Sequence, residues 1–127
     1  MKIFPFPPNI DEVGYKAFPV ALEDDPNIYF HGTGASSLEA ILRDGFRIPA
    51  PPLAQSVSFA TTSSLSLRYA SEARNVTSPE GCIIAVRYAD LSRRGIVKET
   101  SILHDYTLEP APEIIGYCII PSNYRFV

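Results

Sequence analysis

The stretch Asn27-Ile28-Tyr29-Phe30-His31-Gly32-Thr33-Gly34-Ala35-Ser36-Ser37-Leu38-Glu39-Ala40-Ile41-Leu42-Arg43-Asp44-Gly45 changes its period half-way along. Residues 27–31 are β-prone, and Gly32-Thr33-Gly34 follow, so a strand running into a glycine turn is expected. From Ser36 the spacing turns helical. Ser36 and Glu39 have the spacing of a capping box, in which the hydroxyl and the carboxylate each satisfy a free backbone N–H. Leu38, Ile41 and Leu42 fall on one face, Arg43 sits in the last turn, and Gly45 suits the position after the helix end. A strand handing over to a short helix is the unit from which the rest of the chain is read.

Outward from this unit, Val57-Ser58-Phe59-Ala60 predicts a second strand. Thr61, Thr62 and Ser63 offer caps for a second helix carrying Leu65, Tyr69 and Ala73 on one face. Cys82 to Tyr88 opens with a continuous apolar run, the signature of a strand covered on both faces. Ile96-Val97, Ser101 to Leu103 and Glu113 to Ile120 complete the strands. Prolines cluster at Pro5, Pro7 and Pro8, at Pro49, Pro51 and Pro52, and at Pro110 and Pro112. Proline lacks an N–H and fixes φ, so these clusters mark loops. Several strands with two short helices predict an α+β fold in one domain over residues 1–127.

A chain of 127 residues buries roughly two thirds of the surface its unfolded form exposes, enough to fold without a disulfide or metal. Its net charge of -3 argues against broad electrostatic binding of nucleic acid. Cys82 and Cys118 lie in apolar runs and read as buried, reduced thiols. Two histidines and two cysteines in no ligand-like spacing imply no metal site. No apolar run is long enough to cross a membrane. Met1 to Pro8 lacks the apolar core of a signal peptide, so a cytoplasmic protein, or one delivered into a target cell, is expected.

Four features carry chemistry. His31 closes a strand and is followed by Gly32, whose missing Cβ lets a ligand approach the backbone. Helix capping explains the hydroxyls of residues 61–66 and core packing explains Tyr69; alternatively Ser66 and Tyr69, three positions apart, share one face that suits a flat aromatic amide. Glu113 opens an otherwise apolar strand, either as a solvated end or as a placed carboxylate. His104-Asp105-Tyr106 sets an acid beside a histidine, but no serine or cysteine motif accompanies it, so no hydrolase triad is read.

Taken in order, Phe30-His31-Gly32-Thr33 with its helix, Val57-Ser58-Phe59-Ala60 through Ser66 and Tyr69, and Pro112-Glu113-Ile114-Ile115-Gly116-Tyr117 form a pattern over residues 28–120. This pattern resembles the ADP-ribosyltransferase superfamily, in its His–Tyr–Glu branch of diphtheria-toxin-like enzymes and poly(ADP-ribose) polymerases. The resemblance implies a split pair of antiparallel β-sheets with short flanking helices. It implies NAD as co-substrate, held by His31, Gly32, Thr33, Ser58, Phe59, Ser66 and Tyr69. His31 would bond the adenine ribose, Gly32 and Ser66 the nicotinamide carboxamide, and Tyr69 would stack on the ring. His31, Tyr69 and Glu113 would carry catalysis, Glu113 stabilising the oxocarbenium-like transition state as nicotinamide leaves.

Ser58 departs from the pattern, because the family's central tyrosine falls there. A second stacking face on nicotinamide is then either absent or supplied by Phe59. Glu109, four residues before Glu113, is the alternative carboxylate. The function implied is mono-ADP-ribosyl transfer from NAD to a protein or nucleic-acid acceptor, as in a toxin or effector domain with an antitoxin or immunity partner. NAD glycohydrolysis and an inactive NAD- or ADP-ribose-binding module are the alternatives. Ile48 to Ser56 and Glu99 to Ala111 are expected to rim the site.

Overall fold

A computed structural model describes residues 1–7 and 16–125, so Pro8 of the first proline cluster lies outside the described residues. Seven strands alternate with short helices: β1 (Lys2–Phe4), α1 (Val20–Glu23), β2 (Ile28–Gly34), α2 (Leu38–Asp44), β3 (Val57–Ala60), α3 (Ser63–Glu72), β4 (Gly81–Arg87), β5 (Ile96–Lys98), β6 (Ile102–Asp105) and β7 (Glu113–Ile120). They form an α+β fold around one mixed sheet in the order β1-β7-β4-β2-β3-β6-β5. The expectation of two separate antiparallel sheets is corrected in two respects. The strands join into a single sheet, and β1 adds to β7 in parallel. The sheet is nevertheless almost divided, because β2 pairs with β4 along seven residues but with β3 only at Phe30↔Ala60.

Each face of the sheet covers its own core. Phe4, Phe18, Phe30, Ile83, Ala85 and Cys118 pack with Leu67 and Ala70 of α3 on one side. Tyr29, Phe59, Ile84, Val86, Tyr88 and Leu103 pack with Leu38 of α2 on the other. β4, buried throughout except at Arg87, is the strand covered on both faces that its apolar run predicts. Cys82 and Cys118 are free and buried, and burial pushes both thiols up to about 12. No described helix is long and apolar enough to cross a membrane.

Several local expectations are corrected. Gly32-Thr33-Gly34 make no turn: they continue β2 and pair with Ile83, Cys82 and Gly81. Ser36 does not cap α2, because a 3-10 turn (Ala35–Ser37) intervenes and no side-chain cap bond forms. Ser78 Oγ accepts the Ser36 N–H instead, at 3.2 Å. Gly45 ends α2 at φ +81°, where its missing Cβ is needed. Thr62 caps α3 by accepting from Leu65 N at 3.3 Å. The buried face of α3 is Ser63, Ser66, Leu67 and Ala70, not the Leu65-Tyr69-Ala73 face.

That face follows from how closely α3 sits on the sheet. A Cβ on Gly32 would be driven into the Ser66 carbonyl oxygen and would stand 2.9 Å from Ala70 N. A Cβ on Gly81 would meet the Ala70 carbonyl oxygen at 2.5 Å. Bare backbone on β2 and β4 thus seats the helix, and larger residues on its inner face would hold it off. Gly81→Ala is expected to cost about 2–3 kcal/mol through overpacking, measured as a lower urea midpoint with unchanged slope.

Candidate functional site

The site lies where β2 and β3 part. In an antiparallel ladder, successive residues direct their N–H and C=O to alternate sides. Tyr88 N donates to Asn27 O and Ala35 N to Glu80 O, so the odd-numbered residues of β2 face β4. The even-numbered residues, Phe30 and Gly32 among them, therefore face β3. On β3, Thr61 N donates to Ser101 O, which turns odd residues toward β6 and Ser58 and Ala60 toward β2. Phe30 pairs with Ala60, but the next rung, Gly32 against Ser58, is not made. The His31 ring takes its place: Nδ1 donates to the Ser58 carbonyl at 2.9 Å. The Gly32 amide and carbonyl consequently edge an opening in the sheet.

That opening is a pocket of about 320 Å³ lined by Phe30, His31, Gly32, Ser58, Phe59, Ala60, Ser66, Tyr69 and Ile102. Ser66 is fully buried, and its Oγ is the one buried side-chain polar atom without a hydrogen-bond partner among the described residues. Such atoms are costly to leave unpaired and call for an explanation. Tyr69, one turn along α3, lines the same pocket and is 45% exposed. His31 and Ser58 also line a larger lobe of about 720 Å³, together with Thr33, Ser36, Arg43, Asp44, Phe46 and Arg47.

His31 is fixed by more than its hydrogen bond. Phe46 and Phe59 pack against the ring at 5.2 and 5.6 Å between centroids. Burial pulls its pKa below the usual histidine value, and the Ser58 carbonyl only partly offsets this. The neutral ring, with its proton on Nδ1, presents Nε2 as an acceptor.

The structure brings His31, Gly32, Ser58, Phe59, Ser66 and Tyr69 to one lobe and Thr33 to the other. The Phe59 ring, only 1% exposed, packs on Phe46 and Tyr88, so its faces are not open for stacking. Glu113 is not part of the group. It pairs with Arg87 on β7, two strands from β2, and lines a separate recess with Arg87, Asp90 and Arg93. Glu109 is exposed in the loop before β7 and lines neither lobe.

The strand that follows β3 in the sheet is β6, and Ile102 brings it into the smaller lobe. Asp105 does not orient His104. Burial opposes its charge, but hydrogen bonds from Leu108, Arg93, Tyr88 and Thr107 outweigh this and lower its pKa. It is committed to holding the loop after β6. His104 instead turns to Ser58 and Glu99. The sequence signal for this was present in His104, but its partner stands 46 residues away.

No protein-family model matches the chain, nor does any curated protein.

His31 gives a pH test. Its folded pKa is lowered from 6.5, so the unfolded chain binds the proton more readily. Stability from this group is complete above the unfolded value and is lost as pH falls through it toward the folded value. Urea unfolding between about pH 7.5 and 5 is expected to show that loss, with the slope reduced in His31→Asn.

Proposed function

We propose that the chain binds NAD across the two lobes and passes its ADP-ribose to an acceptor, in the manner of an ADP-ribosyltransferase. The observation that carries the binding is the buried, unpartnered Ser66 Oγ at the wall of the smaller lobe. A nicotinamide carboxamide offers both a donor and an acceptor. It can satisfy Ser66 and the Gly32 backbone together, with its ring against Tyr69. The rest of the dinucleotide takes the larger lobe, where His31 Nε2 accepts from a hydroxyl of the adenine ribose. The nearly divided sheet also agrees with the split architecture that the resemblance implies.

Breaking the nicotinamide–ribose bond builds positive charge on the sugar, which a carboxylate beside it stabilises. Glu113 lines a different recess and neither of the two lobes. Glu99, on the turn that leads into β6, lines neither lobe but is linked to Ser58 through His104, and is the carboxylate assigned to this step. A second reading is NAD or ADP-ribose binding without turnover, favoured by the fact that no carboxylate lines the smaller lobe.

Calorimetric titration with NAD, run beside an assay of free nicotinamide, tests both readings. Binding is expected, and Ser66→Ala is expected to weaken it about tenfold, the worth of one hydrogen bond to a buried group. Nicotinamide release that falls in Glu99→Gln and persists in Glu113→Gln supports transfer. Binding without release supports the second reading, and no heat at millimolar NAD overturns both.

A further inference from the structure

The histidine that sequence reading left without a nucleophile acquires one from another strand. Ser58 and His104 are cross-strand partners on β3 and β6. The odd residues of β3 make the hydrogen bonds to β6, so this pair is of the non-hydrogen-bonded kind, whose side chains stand closest. Ser58 Oγ lies 2.9 Å from His104 Nδ1. The opposite ring nitrogen, Nε2, is 3.7 Å from Glu99 Oε2. Hydroxyl, imidazole and carboxylate thus stand in series.

We propose that Ser58 is an activated nucleophile that takes an acyl group from small carboxylic esters entering the cleft, with His104 as its base. Glu99 acts on the ring as a positioning residue. The proposal needs no NAD and stands apart from the reading given above. Ser58 Oγ attacks the ester carbonyl carbon while its proton passes to His104 Nδ1. The ring becomes an imidazolium facing the Glu99 carboxylate, which stabilises it. The bond from carbonyl carbon to the leaving oxygen then breaks, and an alkoxide takes the proton back from His104. Water then attacks the acyl carbon while giving a proton to His104; the bond from that carbon to Ser58 Oγ breaks, Oγ takes the proton from His104, and the carboxylic acid leaves.

Three features separate this arrangement from an ordinary surface hydrogen bond. Ser58 lines both lobes, so an ester reaches it from the cleft. Its own carbonyl is pinned by His31, which fixes the backbone that carries the nucleophile. The Gly32 N–H, left without a strand partner by the missing rung, edges the same lobe and offers a donor to the developing oxyanion.

The test is incubation of the full chain with p-nitrophenyl acetate, followed by peptide mapping by mass spectrometry. A stoichiometric burst of p-nitrophenolate and an acetyl group on Ser58 are expected. His104→Ala is expected to slow acetylation about 100-fold, and His104→Gln, which keeps a hydrogen-bond partner for Ser58 but no base, to slow it as much, whereas a merely structural histidine would be rescued by glutamine. Glu99 is 66% exposed in its side chain, so Glu99→Gln should fold normally and slow the step by a smaller factor. No acetyl group on Ser58, or acetylation as fast in a folded His104→Ala chain, overturns the proposal. An unchanged rate in Glu99→Gln removes Glu99 from it.

Discussion

The hydrogen bond from His31 Nδ1 to the Ser58 carbonyl is the constraint on which the cleft depends. A side chain occupies the acceptor that a sheet would ordinarily give to the next backbone amide. Continuing the ladder beyond Phe30↔Ala60 would close the opening and bury Gly32 against Ser58. With the imidazole inserted, the sheet keeps its continuity at one pair and yields a polar-edged cavity at the next. The exchange is inexpensive because one hydrogen bond replaces another, and the aromatic rings of Phe46 and Phe59 hold the wedge in place.

The same opening places α3. The helix carries Ser66 to the pocket only because Gly32 and Gly81 let its backbone settle on the sheet. Ser66 is therefore buried by the packing that makes the fold, and its hydroxyl is left unpartnered by the geometry that makes the cavity. Leu67 and Ala70 on the inner face anchor the helix in the core, while Tyr69 lines the pocket. Stability and site share one interface here, so substitutions on the inner side of α3 change both together.

Much of this was legible in the sequence. Strand and helix periods place β2, β3, α3, β4 and β7, and the family resemblance groups His31, Gly32, Ser66 and Tyr69, which line one pocket. Local pattern also misled where tertiary contacts decide. Gly32-Thr33-Gly34 look like a turn, yet their bareness serves helix docking within a continuous strand. Ser36 and Glu39 have capping-box spacing, but the 3-10 turn shifts the helix start. β1 and α1, of three and four residues, are too short to show a period.

The carboxylate shows the limit most clearly. The resemblance assigns the carboxylate to Glu113, which opens an apolar strand in the segment like the family's third motif. Order along the chain does not give order across a sheet. β7 folds back beside β4, whereas the earlier and less conspicuous β6 takes the place next to β3. That placement carries His104, and Glu99 with it, to Ser58, the position where the family pattern has a tyrosine. The departure at Ser58 is thus not only a missing ring. A tyrosine there would fill the space in which the hydroxyl now meets the imidazole, so the residue that departs from the pattern is also the one that allows a proton relay on this wall of the cleft.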